Sequence, residues 1–243
     1  MWVAIGLSLV CALVLMPGRW LKGVPKDHLL AGTGSQWRRN YSRRSFLRLG
    51  GAIVAAGALA YTGADEAVDK FHADALRSQG TDTASHVVNP FGERFWFVNW
   101  FLVAAIDAWL RSGPFSRWGR ENFEAMVVGL PVLWTVQRGL GANRPTDENP
   151  SPRWRPLADD NAASGHAFIA AIPWLNLARR ADKPVPRWAA RFASVLTGWS
   201  RINDRKHYLS QVILGWTIAW NATEAVHGND QPAAGHDLAK GTS

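Results

Sequence analysis

The apolar pattern of this 243-residue chain predicts an all-α fold, a bundle of about five or six helices. Apolar residues recur at helical spacing along the second half of the chain. Strand-like alternation is nearly absent, and Gly, Pro, Asn and Asp gather in a few short stretches that punctuate the helical ones. Residues 65–79 form a short polar helix, Asp65 to Gln79. Residues 93–111 are apolar on almost every face, with Phe95, Trp96, Phe97, Trp100, Phe101, Ile106 and Trp109 among them. Such a helix lies at the centre of a bundle or against lipid. A further helix spans 119–137, interrupted near Gly129-Leu130-Pro131. Residues 138–155 read as a loop. His166–Arg179 is helical with a kink at Pro173, and Arg187–Trp199 has an apolar stripe at 188, 192, 195, 196 and 199. The last helix covers about 206–225, with Leu209, Val212, Ile213, Trp216, Ala219 and Trp220 as its buried face.

The formal charge of +8 does not belong to the body of the protein. Residues 1–60 hold eight of the 27 Lys and Arg and one of the 19 Asp and Glu, leaving 19 basic against 18 acidic residues beyond. A nucleic-acid partner is therefore not expected. The single cysteine, Cys11, excludes an intrachain disulfide and a cysteine-based metal site.

Residues 1–64 read as a leader, 65–227 as the functional domain and 228–243 as a polar tail. Met1–Met16 is an uncharged apolar stretch of marginal spanning length. Ser42-Arg43-Arg44-Ser45-Phe46-Leu47-Arg48 resembles the twin-arginine export consensus, and a mildly apolar Gly/Ala run, Leu49–Ala64, follows it. Ala58-Leu59-Ala60 is a cleavage candidate. Translation from Met16, or a first span with a cytoplasmic basic loop, would each explain the position of the motif. Both place the domain outside the cytoplasmic membrane, exported by machinery that reads Arg43-Arg44. Eleven of the fourteen tryptophans lie beyond residue 60, available for a core or for a membrane interface.

Three short blocks carry chemistry: Arg144-Pro145, Ser164-Gly165-His166, and Ser200-Arg201 followed by His207. Two arginines offer planar donors for phosphate oxygens. A Ser-Gly pair opening a helix offers a hydroxyl and backbone N–H groups to an anion. Two histidines can serve as nucleophile and as acid. The order and spacing of these blocks resemble the type 2 phosphatidic acid phosphatase superfamily, which also contains bacterial acid phosphatases and vanadium haloperoxidases. Its pattern reads K-x6-R-P, P-S-G-H and S-R-x5-H-x3-D, and the resemblance covers about residues 90–225.

The resemblance implies a helical bundle of that family's type and a phosphohistidine mechanism. His207 would be the nucleophile, and His166 the acid and then the base. Arg144, Arg201, Ser164 and Gly165 would hold the phosphate. Three positions depart from the pattern: Gln137 for the lysine, with Arg138 beside it; Ala163 for the proline; Gln211 for the aspartate. Gln211 lies one turn after His207 and can accept its hydrogen bond, but it brings no charge, so activity is expected to fall below that of an aspartate-bearing site. Arg138 is the candidate to replace the lysine charge.

The expected activity is metal-independent hydrolysis of a phosphomonoester or pyrophosphate, of a small soluble molecule or a lipid phosphate, with no cofactor. Two alternatives share the pocket: a protein that binds phosphate or a lipid head group without turnover, and a haloperoxidase that holds vanadate on His207. Gln137 argues against the second.

Overall fold

The computed structural model describes residues 33–110 and 114–228, and among them it contains helices and no strand. The apolar stretch Met1–Met16, Cys11 and the tail beyond residue 228 lie outside the described residues. The helices are α1 (Thr33–Asn40), α2 (Arg43–Tyr61), α3 (Ala64–Phe71), α4 (Gln79–Val88), α5 (Phe95–Leu110), α6 (Pro114–Leu140), α7 (Gly165–Arg180), α8 (Pro184–Asn203) and α9 (Leu209–His227). A π-helical turn, His72–Leu76, extends α3, and a 3₁₀ turn, Asn89–Gly92, follows α4. The all-α expectation therefore holds, with more helices than the five or six foreseen.

Helix α9 is the axis of the bundle. It packs against α2, α6, α7 and α8, and Leu214, Ile218, Ala219 and Ala222 are fully enclosed. The buried face is therefore broader than the sequence stripe suggested: Leu209, Ile213, Trp216 and Trp220 are only half-buried. A helix surrounded by neighbours has no solvent face to reveal its orientation. Phe123, Met126, Phe168, Ile172 and Leu175 complete the core with Trp100 and Phe101 of α5.

Helix α6 runs unbroken through Gly129-Leu130-Pro131, where an interruption was expected. Proline removes one backbone donor, but neighbours hold the helix on course. The Asn40 side chain donates to the Val128 carbonyl (3.1 Å). The missing Cβ of Gly129 admits the Phe168 ring, which would lie 2.6 Å from it. Tertiary packing outweighs the local cost.

The segment 33–61 is integrated into this bundle. Ala56 and Ala60 of α2 are buried against the core. Arg48 donates to Asn221 (2.7 Å), and the Asn221 amide donates back to the Ser45 carbonyl (3.1 Å). From α1, Gln36 reaches Glu124 (2.7 Å) and Arg39 reaches the Ala225 carbonyl (2.6 Å).

Two helices at the periphery keep apolar residues outside. Helix α5 exposes Phe95, Val98, Leu102 and Ile106; α8 exposes Val185, Trp188, Phe192 and Val195. Helix α5 is therefore central on one face only. Among the described residues no single helix is long and apolar enough to cross a membrane. Helix α2 and residues 64–76 pass together by length and composition, but the two are bent by 72°.

Candidate active site

The turn from α8 into α9 brings two of the candidate residues together. The amides of Lys206 (2.8 Å) and His207 (3.2 Å) both donate to the carbonyl of Arg201. Arg205 within this turn has φ of 53°, the left-handed region that disfavours side chains. Its guanidinium is clamped in two-pronged fashion by Asp69 of α3 (3.1 and 2.7 Å). Asp65, also on α3, accepts from the Ser210 amide (3.0 Å) and caps the start of α9. Helix α3 thus works as a brace for the turn that carries His207.

His207 is buried. Its Nδ1 lies 2.7 Å from Gln211 Oε1. Gln211 Oε1 also accepts from the Tyr208 amide (3.3 Å), while its Nε2 donates to the Asn143 carbonyl (2.8 Å). Because the amide nitrogen is committed to a carbonyl, the oxygen must face the imidazole. Nδ1 then carries the proton and Nε2 keeps its lone pair. An aspartate could not donate to Asn143. Gln211 therefore joins the nucleophile candidate to the loop that holds Arg144, in addition to orienting the ring. Burial, followed by the positive fields of Arg201, Arg144 and His166, pushes the His207 pKa down to about 3 against the hydrogen bond that Nδ1 donates to Gln211.

Each arginine of the pair is anchored by an asparagine. Arg144 Nε donates to Asn161 Oδ1 (2.8 Å), and its backbone amide donates to Asp147 (2.7 Å). Arg201 Nη1 donates to Asn89 Oδ1 (2.7 Å), and its Nε is buried without a protein partner. Burial, with Arg144 adding its repulsion, weakens the hold of Arg201 on its proton against the attraction of Asp204 and Glu93. Two guanidinium groups that repel each other are of the chemical type that matches the oxygens of an anion.

Ser164 is fully buried and caps α7, its Oγ accepting from the Ala167 amide (3.3 Å). Its own amide donates to the Gln211 carbonyl (2.8 Å). Helix α9 comes so close here that a Cβ on Gly215 would lie 2.3 Å from the Ser164 carbonyl. Gly165 opens α7 beside Gln137, whose Nε2 donates to the Ala163 carbonyl (2.8 Å). Gln137 thus braces the Ser164-Gly165 turn from α6. Arg138 stands exposed, its carbonyl receiving the Leu157 amide (2.8 Å), and among the described residues no hydrogen bond or ion pair joins its side chain to the other candidates.

His166 has a partner that the motifs did not reveal. Its Nε2 lies 3.2 Å from Glu93 Oε1. Gly92 makes this approach feasible, since a Cβ there would stand 2.7 Å from His166 Cβ. Burial and then Arg201 lower the His166 pKa; Glu93 opposes them, and Arg144 adds a further downward push. No motif in the sequence marks Glu93, Asn89, Asn161, Asn143, Asp65 or Asp69 as part of the site. Asn89-Pro90 is visible as a turn dipeptide, but nothing local ties it to an arginine far along the chain. Among the described residues no group of three or more His, Cys, Asp or Glu side chains is placed to hold a metal ion.

Fold and site together define a helical protein with a histidine pair set beside an arginine pair suited to a phosphate-like oxyanion. Residues 126–228 match the family model of the PAP2 superfamily, which supports the superfamily of phosphatases and related enzymes that the three blocks resemble. The match contains all nine candidate site residues and leaves Glu93 and α1–α5 outside. No curated protein and no solved structure matches the chain.

Proposed function

We propose that this chain is a phosphatase that cleaves phosphomonoesters or pyrophosphates through a phosphohistidine at His207. The carrying observation is that Gln211 presents His207 with its Nε2 lone pair available, in the electrostatic neighbourhood of Arg144, Arg201 and His166. Phosphate oxygens bind to Arg144, Arg201 and the turn at Ser164-Gly165. His207 Nε2 attacks phosphorus in line, and the bond to the leaving oxygen breaks. His166 gives that oxygen its proton. The same histidine then takes a proton from water, whose oxygen attacks the phosphohistidine and releases phosphate. The arginines balance the charge on the transferring group, so the step needs no metal.

Charge states set the pH window. His207 is neutral above about pH 3, whereas His166 must be protonated to act, and its pKa lies below the ordinary 6.5. Activity is therefore expected between these limits, falling as pH rises through the His166 pKa. Glu93→Gln removes the group that holds the proton on His166. The alkaline limb of the kcat/KM profile should move to lower pH, with about 3–10-fold lower kcat/KM at neutral pH. An unmoved profile would separate Glu93 from the acid.

The exposed apolar stripes of α5 and α8 favour a domain that rests against a membrane, and with it lipid phosphates as substrates. Export through Arg43-Arg44 belongs to the same proposal, with α2 retained because it packs on α9. The test is phosphate release by the full chain, with a chelator present, from p-nitrophenyl phosphate and an isoprenyl pyrophosphate, followed by acid-labile, base-stable labelling of the protein with radioactive phosphate. Turnover with label at His207 is expected. Phosphate binding without turnover would establish a binding protein instead.

A further inference from the structure

At the opposite end of α9 from His207, a cavity of about 410 Å³ opens between α2, α7, α8 and α9. Gln211 and Glu224 mark the two ends, separated along the helix by about 20 Å at 1.5 Å per residue. The cavity lies outside the catalytic arrangement and shares no side chain with it.

Its chemistry is an excess of guanidinium over carboxylate. Glu224 is approached by Arg44 at 3.3 Å and by Arg179 at 3.9 Å, and it is paired with Arg48. Arg191 completes the group, 5.6 Å from the Trp220 ring that Arg179 also faces at 5.4 Å. Three arginines thus share one carboxylate and Arg191 stands beside them, on an end of the molecule where Leu175, Ala178 and Trp220 add an apolar wall. Burial, and then repulsion from Arg48, Arg191 and Arg44, lowers the pKa of Arg179, with Glu224 opposing. The cluster holds more positive charge than its single carboxylate neutralises, and a bound anion would offset the difference. Guanidinium forks match phosphate geometry, and the indole with its aliphatic neighbours suits an apolar group attached to the phosphate.

We infer that this cavity is a second anion site, taking a phosphate-bearing ligand held by Arg44, Arg179 and Arg191 against Trp220. The phosphate can come from a soluble molecule or from an anionic lipid head group, and two probes separate the sources. The experiment uses the full chain carrying Arg144→Gln and Arg201→Gln, which silence the catalytic pocket. Inorganic pyrophosphate is titrated by calorimetry at low salt. Co-sedimentation is measured with vesicles of phosphatidylcholine alone or mixed with phosphatidylglycerol.

Retained binding of pyrophosphate points to a soluble ligand, and binding to the mixed vesicles alone points to a head group. In either case Arg44→Gln with Arg191→Gln should weaken it by about tenfold or more. Arg44 is 77% exposed, so Arg44→Glu offers a second variant with little consequence for folding. Absence of binding to both probes, or binding that neither variant reduces, overturns the inference. None of these readouts requires turnover, so they stand apart from the phosphatase proposal.

Discussion

Replacing His207 with alanine in the full chain should reduce phosphate release by about 10⁴–10⁶-fold, the range seen when a covalent nucleophile is removed. No neighbour is placed to take over. His166 is held by Glu93, and the Ser164 hydroxyl serves as the α7 cap. A second readout separates chemistry from folding. His207 has a folded pKa of about 3 against an ordinary value of 6.5. As pH falls from 6.5 towards 3, the unfolded chain takes up a proton that the folded chain refuses. Stability therefore declines with acid across that window, on the order of 3 kcal/mol by pH 4 for this group. His207→Ala removes that contribution. The fall in Tm between pH 7 and pH 4 should be smaller in the variant than in the parent. Loss of turnover with an unchanged acid sensitivity would show that His207 is not buried in its neutral form.

The second large effect concerns residues 33–61. A chain beginning at residue 62 should aggregate or melt about 10 °C or more below one beginning at residue 33, because several kcal/mol are lost at once. Removing α1 and α2 uncovers α9 where Ala56 and Ala60 now pack. It also strips hydrogen-bond partners from Asn221, Glu124 and the Val128 carbonyl, which are buried or adjacent to the core. Thermal melts of the two chains decide the matter. Equal stability would mean that α1 and α2 are dispensable, as a leader cleaved at Ala58-Leu59-Ala60 would be.

This second prediction shows where sequence reasoning stopped. The Gly/Ala content of Leu49–Ala64 resembles a weak signal segment, but small residues also allow close helix packing, and α2 uses Ala56 and Ala60 in that way. Composition alone does not choose between the two uses. The exposure of Trp188 and Phe192 on α8 was equally hidden: the stripe identified a helix correctly, yet its buried face is made of Ala190, Ser194, Thr197 and Gly198. Periodicity identifies a helix and leaves open which face meets the protein.

Features governed by neighbours in the chain were legible from the residues. The helical class follows from spacing. Gln211 does meet His207, but His207 lies in the turn before α9, and the contact comes from Gln211 folding back over the helix start, where it also accepts from the Tyr208 amide. Ser164 caps the helix that carries His166 by the same local logic. The tertiary structure alone decided the rest. It set Glu93 on His166 and Asn143 on Gln211, braced the turn that carries His207 with Asp65 and Asp69, and gathered three arginines around Glu224. It also lowered the pKa of His207, because burial and the field of distant arginines depend on which helices surround the ring. Local geometry is written in residue spacing, whereas desolvation and long-range charge arise only when the packed helices exclude water and bring separated side chains into one volume.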